Sequence, residues 1–530
     1  MKIELYDTTL RDGAQTQGIS FSVSDKLRIA EKLDTLGIHY IEGGWPGANP
    51  KDVEFFKKAK GLKLKNAKLV AFGSTRRAHT DVSEDATMKG LLQSNVDVIT
   101  IFGKCWNLHV EEVLKTTPEE NLKMIEDSVK FLKSKGKFTI FDAEHFFDGY
   151  REDPEYALGA LAAAESGGAD RIVLCDTNGG TLTSTVFEVV EEVKKKVKTP
   201  LGMHAHNDAD MAVANTVAAV QAGCIQVQGT MNGYGERCGN ANLVSIIGNL
   251  KLKLGVDCIS DLSLKELTET AYYVAEMSNT KLNDNQPFVG NSAFAHKAGV
   301  HVNAIIKNPK SYEHVEPERI GNRRMLLISE LSGKSSLLKK AEEINLGIDK
   351  EAPETKKILK LLQDLEHKGY HFEAAEASLE LFMKRATKKF KRFFELKDFR
   401  VIVEKNAKNK GKLTSEATIK LKVNDKLEHT ASLGDGPINA LDNALRKALK
   451  DFYPSLNEMH LTDFKVRVLD EKVGTAAQVR VLIQSQDKTD SWWTIGVSEN
   501  IIEASWQALV DSVEYKLLKD SENAGHSKTI

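Results

Sequence analysis

Two histidines spaced by one residue, His204 and His206, stand in Gly202-Met203-His204-Ala205-His206-Asn207-Asp208. If that stretch ends a strand, side-chain alternation points both imidazoles the same way. Such a pair is a good start for a metal site, although two histidines also hydrogen-bond without any metal. A second cluster is Asp7-Thr8-Thr9-Leu10-Arg11-Asp12-Gly13, which gathers two carboxylates, an arginine and a glycine. Either Asp7 or Asp12 could complete a metal site, and spacing does not choose between them. Arg11 could steady a developing negative oxygen. The third cluster, Gly229-Thr230-Met231-Asn232-Gly233-Tyr234-Gly235-Glu236-Arg237-Cys238-Gly239-Asn240-Ala241-Asn242, lets backbone approach a ligand closely. Asn240 there offers a neutral oxygen ligand. A plain barrel-closing loop would have the same composition. Its glycines do not fit the phosphate-loop pattern, so the sequence gives no support for a nucleoside triphosphate site.

Positioning these clusters is the work of a repeated strand–helix pattern. Short β-branched runs occur at Ile3-Tyr6, Tyr40-Glu42, Lys68-Phe72, Val98-Phe102, Phe138-Asp142, Arg171-Asp176, Leu201-Ala205 and Ile225-Thr230. Amphipathic stretches separate them. The first carries a capping signal at Ser22-Val23-Ser24-Asp25 and a C-cap glycine at Gly37. Parallel strands joined by crossover helices follow, and eight such units predict an α/β fold, a (β/α)₈ TIM-type barrel. A doubly wound open sheet is the competing architecture. In the barrel, all three clusters fall at the C-terminal mouth, where active sites assemble.

The barrel is expected over residues 1–256. Residues 257–397 read as a helical linker region, with helices at Ser263-Met277, Ser329-Ala341 and Ala352-Lys368. Residues 398–520 read as an α+β C-terminal regulatory domain with an internal duplication. One block runs through Ala417-Val423 and Leu427-Leu433 into a helix; the other runs through Ala477-Gln484 and Trp492-Val497 into a second helix. A shift of about 64 residues superimposes Ala440, Ala444 and Leu445 on Ala504, Ala508 and Leu509. Such a module suggests ligand sensing or dimerisation.

The bulk numbers exclude several classes. Of 530 residues, 41% are hydrophobic and 28% charged, an ordinary globular balance. A net charge of −2 gives no electrostatic reason for nucleic acid or an anionic membrane as partner. Five cysteines without paired spacing fit reduced thiols, and the charged N-terminus does not read as a signal peptide. A cytoplasmic enzyme is expected.

Taken together and in this order, DTTLRDG, HAHND and GERCGN resemble the 2-isopropylmalate, homocitrate and citramalate synthase family, over essentially the whole chain. The resemblance implies condensation of acetyl-CoA with a small 2-oxo acid, an acyltransferase reaction. It implies a divalent metal ion (Mg²⁺, Mn²⁺ or Zn²⁺) held by Asp12, His204, His206 and Asn240. It also implies catalytic roles for Arg11, for Glu144 in Phe141-Asp142-Ala143-Glu144-His145, and for His301 with Tyr312 as companion. Thr177 would hold the 2-oxo acid carboxylate. A homodimer, in which the helical region of one subunit reaches over its partner's barrel, and isoleucine as feedback effector follow from the same resemblance. Glu42-Gly43-Gly44-Trp45-Pro46-Gly47-Ala48-Asn49-Pro50, with Gly434-Asp435-Gly436-Pro437, looks most like the pyruvate-using branch. There the Trp45 indole would shrink the substrate pocket. The alternatives are an isopropylmalate- or homocitrate-forming enzyme and a metal-dependent acyl-CoA lyase on the same barrel.

Overall fold

A computed structural model describes residues 2–326 and, beyond them, 338, 341–342, 344, 346, 353–372, 375–387, 390, 392–405, 413–469 and 477–526. The expected helix Ser329-Ala341 lies outside the described residues, apart from 338 and 341. The chain divides into two units, Met1–Phe294 with Glu313–Arg324, and Ala295–Tyr312 with Met325–Ile530. Among the described residues no helix is long and apolar enough to cross a membrane.

The first unit is a closed parallel barrel in sequential order: β1 Glu4–Asp7, β2 Tyr40–Gly44, β3 Lys68–Ser74, β4 Val98–Lys104, β5 Phe138–Glu144, β6 Arg171–Asp176, β7 Leu201–Ala205 and β8 Gln226–Gly229. β1 closes on β8, with Glu4 opposite Gln226 and Asp7 opposite Gly229. The expected strands are all present. β3, β4 and β5 each run two residues past their apolar run, and so carry Lys104 and Glu144 to the C-terminal rim.

Alternation sorts the interior into layers. At the N-terminal end Arg171 pairs with Glu4 through Nε at 3.0 Å and Nη2 at 2.8 Å, and Gln226 donates to the same carboxylate at 3.2 Å. Above it Tyr6, Tyr40, Val70, Val98, Ile140 and Val173 form a small apolar plug. The next inward positions are polar on five strands, Glu42, Thr100, Asp142, His204 and Gln228, while Phe72 stands there on β3. A larger apolar shell packs the strands against their helices. The helix Val23–Leu36 shows the local logic. Ser22 and Asp25 form a reciprocal capping box, Ile29, Ala30, Leu33 and Leu36 are buried, and Gly37 ends it at φ 93°.

One buried ion pair fixes the loop after β2. Lys26 Nζ donates to the Gly43 carbonyl at 3.0 Å and to Asp52 Oδ1 at 2.5 Å, while Asp52 Oδ2 accepts from the Trp45 amide at 2.9 Å. Gly44 sits at φ 145°, and a Cβ there would lie 2.2 Å from the Asp52 carboxyl carbon. Glycine is therefore required where backbone and carboxylate meet.

The second unit contains two three-stranded antiparallel sheets, each followed by a helix. The first has strands Glu395–Lys405, Leu413–Val423 and Lys426–Gly434 with helix Pro437–Leu449; the second has His460–Val468, Val479–Gln486 and Ser491–Ser498 with helix Ile501–His526. The duplication extends to single hydrogen bonds. Thr430 Oγ1 donates to the Ala444 carbonyl, and Thr494 Oγ1, 64 residues on, donates to that of Ala508. Ala440, Ala444, Leu445, Ala504, Ala508 and Leu509 share one core. The structure adds a leading strand to each block, Glu395–Lys405 and His460–Val468, which the sequence pattern did not separate. Both are sheet edges with mostly exposed side chains, so their apolar alternation is weak.

Removing the cation from the Lys26–Asp52 pair leaves a buried, uncompensated carboxylate. Lys26→Met is expected to cost about 3–5 kcal/mol of barrel stability, read as a lower urea midpoint. An unchanged midpoint would show that the pair does not hold the loop.

Candidate metal site and active centre

The end of β7 and the turn after β1 bring the first cluster together. His204 and His206 point inward with ring centroids 5.3 Å apart. The turn folds back so that Asp12 N donates to the Thr8 carbonyl at 2.9 Å, and Asp12 Oδ2 lies 3.5 Å from His204 Nε2. One ligand atom from each of Asp12, His204 and His206 falls within 4.8 Å of the others, and all three residues are buried. Asp7 is used differently. Its Oδ1 and Oδ2 accept from Thr9 N and Oγ1 at 2.9 and 2.8 Å, and Thr9 Oγ1 accepts from Met231 N at 2.8 Å. Asp7 thus ties β1 to the loop after β8, and burial pushes its carboxyl up to about 7. The geometry brings Asp12, not Asp7, to the histidines.

Asn240 reaches the same group across an isolated bridge to His206. Its Nδ2 donates to Asp12 Oδ2 at 2.8 Å and faces His204 Nε2 at 3.5 Å. Among the described residues its Oδ1 is buried without a partner, as is Nδ1 of His206. A half-turn of the amide would exchange its two ends, and a cation among Asp12, His204 and His206 would favour the oxygen turned inward. A Cβ on Gly235 would stand 1.9 Å from Asn240 Oδ1, so glycine there makes room for the amide. A carboxylate, two imidazoles and an orphaned amide oxygen suit a divalent ion.

Protonation favours the same use. Burial lowers the His206 imidazole to about 4, with His204 adding to the effect, so the ring is neutral and has a free lone pair at neutral pH. Burial alone would raise Asp12, but Arg11 and the two histidines outweigh it and hold the carboxyl down to about 2. Behind the group, His204 Nδ1 lies 2.9 Å from Gln228 Oε1, and Gln228 Nε2 donates to Asp142 Oδ1 at 3.0 Å. A carbonyl oxygen only accepts, so Nδ1 carries the proton and Nε2 presents its lone pair. Neither Gln228 nor Asp142 was singled out from sequence. The usable signal was their place on the inward-facing alternation of β8 and β5.

Arg11 stands beside the group. Its Nε donates to Glu42 Oε1 at 2.5 Å, Nη1 lies 3.4 Å from Asp12 Oδ1, and Cζ lies 3.7 Å above the Phe72 ring centroid. Glu42 is held in turn by the Tyr6 hydroxyl at 2.6 Å, which also contacts Thr100 Oγ1 at 2.8 Å. Trp45 meets Phe72 and Phe102 edge-on, at centroid distances of 6.0 and 5.6 Å. An aromatic wall of Trp45, Phe72 and Phe102 therefore borders the guanidinium. Sequence reasoning found Trp45 and missed the two phenylalanines, which are the inward residues near the ends of β3 and β4.

Glu144 pairs with Lys104, its register partner on β4. Thr177 follows β6, and its Oγ1 accepts from the amide of His145, next to Glu144, at 2.9 Å. His301 lies on the helix Gly299–Lys307 of the second unit, with its ring stacked on Tyr312 at 4.1 Å. The structure thus joins Asp12, His204, His206, Asn240 and Arg11 in one group, links Trp45 to Arg11 through Phe72, places Glu144 and Thr177 on neighbouring strand ends, and pairs His301 with Tyr312.

Comparisons with known proteins agree with this architecture. The HMGL-like family matches residues 2–274, the homocitrate synthase post-HMGL domain-like family residues 288–369, and the LeuA allosteric (dimerisation) domain residues 373–517. An (R)-citramalate synthase of Aquifex aeolicus is 57% identical over 98% of this chain and 99% of its own length. One of Geobacter sulfurreducens is 56% identical over 99% of each chain. A 2-isopropylmalate synthase of Methanocaldococcus jannaschii is 29% identical over 98% of this chain and 95% of its own. The chain belongs to the 2-isopropylmalate, homocitrate and citramalate synthase family of HMGL-like barrels.

Loss of an orienting partner behind a metal-binding histidine typically costs about 10–100-fold in metal affinity. Gln228→Ala is therefore expected to weaken Mn²⁺ or Zn²⁺ binding by that order in calorimetric titration, with circular dichroism unchanged. Undiminished affinity would remove Gln228 from the support of His204.

Proposed function

We propose that this chain, working from the group at its barrel mouth, condenses acetyl-CoA with pyruvate and water to give (R)-citramalate and CoA. The methyl carbon of the acetyl group loses a proton and bonds to the ketone carbon of pyruvate, and water then cleaves the thioester. The observation that carries this reading is the Asp12–His204–His206 group with Arg11 and a tight aromatic wall beside it. It suits an oxo acid that chelates through its carboxylate and ketone and bears only a methyl group. The full-length likeness to (R)-citramalate synthases supports the choice of acceptor.

Asp12, His204 and His206, with the Asn240 oxygen, would hold Mg²⁺, Mn²⁺ or Zn²⁺. Such an ion, when bound, polarises the ketone as a Lewis acid. The remaining roles belong to the chain. Arg11 is fixed by Glu42 and Phe72, while its Nη2 takes no part in those contacts and can donate to the oxygen that becomes negative. Thr177 binds the acceptor's carboxylate. Glu144, neutralised by Lys104, orients the reacting groups at the ends of β4 and β5. His301, stacked on Tyr312, takes the proton from the acetyl methyl. Trp45, backed by Phe72 and Phe102, limits the acceptor's side chain.

The duplicated C-terminal sheets pair two chains into a homodimer and give isoleucine a site from which to inhibit; the match to an allosteric (dimerisation) domain supports this. All five cysteines are unbridged, four of them buried, which supports a reducing, cytoplasmic setting. A lyase on the same barrel is the second reading, and the C-terminal module weighs against it.

Two experiments test the proposal. CoA release from acetyl-CoA should require pyruvate, and Asp12→Ala should abolish it while the circular dichroism spectrum stays native; full turnover in that variant would remove Asp12 from the chemistry. Trp45→Ala should raise kcat/KM for 2-oxobutyrate relative to pyruvate by about tenfold or more, the scale of one methylene in an apolar pocket. An unchanged ratio would show that the indole does not set acceptor size.

A further inference from the structure

The loop after β8 carries a charged side chain that the proposed chemistry leaves unused. Arg237 stands in the glycine-rich segment between Gly229 and Asn242, and its guanidinium joins the loops that follow three successive strands. Nε and Nη2 donate to Asp208 Oδ1 and Oδ2, after β7, at 2.7 and 2.8 Å. Nη2 also donates to the backbone carbonyl of Thr177, after β6, at 2.7 Å. The Arg237 backbone sits in the left-handed region at φ 54°, a costly conformation for a residue with a Cβ. Gly179 shows how tightly the loops are drawn together: a Cβ there would lie 2.4 Å from Asp208 Oδ2 and 2.8 Å from its amide nitrogen.

Folding stability does not account for this arrangement. The Arg237 side chain is 43% exposed, and an ion pair so open to water contributes little. Asn240, three residues on, is held by other bonds. Its amide donates to the Gly233 carbonyl at 3.2 Å, the Ala241 amide donates to that of Ala205 at 2.8 Å, and the Asn207 amide donates to that of Gly239 at 2.8 Å. What the guanidinium fixes besides Asp208 is Thr177. That residue is gripped on its other side by the loop after β5, because the His145 amide donates to Thr177 Oγ1 at 2.9 Å. Asn178 Nδ2 reinforces this side by donating to Asp148 Oδ2 at 2.9 Å. A hydroxyl oxygen that accepts from an amide keeps its own hydrogen for another acceptor. With its carbonyl and its side-chain oxygen both tied, Thr177 is set in place before any ligand arrives.

We infer that Arg237 is a positioning residue for the 2-oxo acid: by fixing the Thr177 carbonyl it holds the Thr177 hydroxyl where it donates to the acceptor's carboxylate. The inference rests on the carboxylate-binding role of Thr177 and gives Arg237 no contact with the reacting atoms.

Steady-state kinetics of Arg237→Met, Thr177→Val and the double variant test it, in the full-length protein with its divalent ion. Thr177→Val removes the hydroxyl at nearly constant shape and should raise KM for pyruvate about tenfold, the scale of one hydrogen bond to a charged group. Arg237→Met should raise the same KM by a similar factor, while kcat, KM for acetyl-CoA and Mn²⁺ affinity each stay within about twofold. The double variant should lie within about twofold of Thr177→Val, because Arg237 acts through the group already removed. The thermal midpoint of Arg237→Met should stay native. An unchanged pyruvate KM in Arg237→Met, or full multiplication of the two effects in the double variant, would overturn the inference and leave the role of Thr177 standing. A loss of Mn²⁺ affinity would overturn it by showing that the side chain serves Asn240, and a collapsed midpoint by showing that it serves folding. If Thr177→Val leaves the pyruvate KM unaltered, the reading of Thr177 falls first and takes the inference with it.

Discussion

The contact between Asp12 and the two imidazoles at the end of β7 is the constraint around which the barrel mouth is organised. A carboxylate buried at 3% exposure is costly unless positive charge answers it. Arg11 supplies part of that charge from the preceding position in the chain, and the Asn240 amide donates to the same carboxylate. The rest of the mouth can be understood as support for this arrangement. Gln228 and Asp142 fix the His204 ring, Gly235 makes room for the Asn240 amide, and Glu42 with Tyr6 holds the guanidinium in place.

The alternation of a β-strand makes such a concentration of polar groups compatible with stability. Inward positions pass from the Glu4–Arg171 pair, through a plug of tyrosine, valine and isoleucine, to the polar layer at the mouth. The apolar plug keeps the chemical end dry from below, while the shell between strands and helices carries most of the hydrophobic burial. The mouth can hold buried charge because the fold does not depend on it for cohesion. A similar division holds in the second unit, where one apolar core supports both sheets and the pairing of Arg385 with Asp511 joins two helices beside it.

Much of this was legible in the sequence, and the parts that were not have physical reasons. The eight strands announced themselves as β-branched runs with capping signals between them, because a parallel barrel strand buries both faces. The duplication was visible because Ala440, Ala444 and Leu445 and their counterparts must pack in equivalent positions. The leading strands of the two sheets were hidden because an exposed edge strand has little apolar pattern to show. At the site, spacing alone could not separate Asp7 from Asp12. That choice depends on a tight turn, in which Thr9 occupies both oxygens of Asp7 and the chain folds Asp12 inward. Gln228, Asp142, Phe72 and Phe102 were missed because they carry no motif. Only the register of inward positions, known once the barrel is closed, distinguishes them from ordinary strand residues.

The central claim is that pyruvate meets a cation held by Asp12, His204 and His206. Electron paramagnetic resonance of the Mn²⁺-loaded protein tests it directly, with pyruvate carrying ¹⁷O at its ketone and carboxylate. Coordination by two imidazole nitrogens, together with line broadening from the labelled pyruvate, is the result expected. A spectrum showing neither histidine nitrogen nor any response to the label would contradict the account.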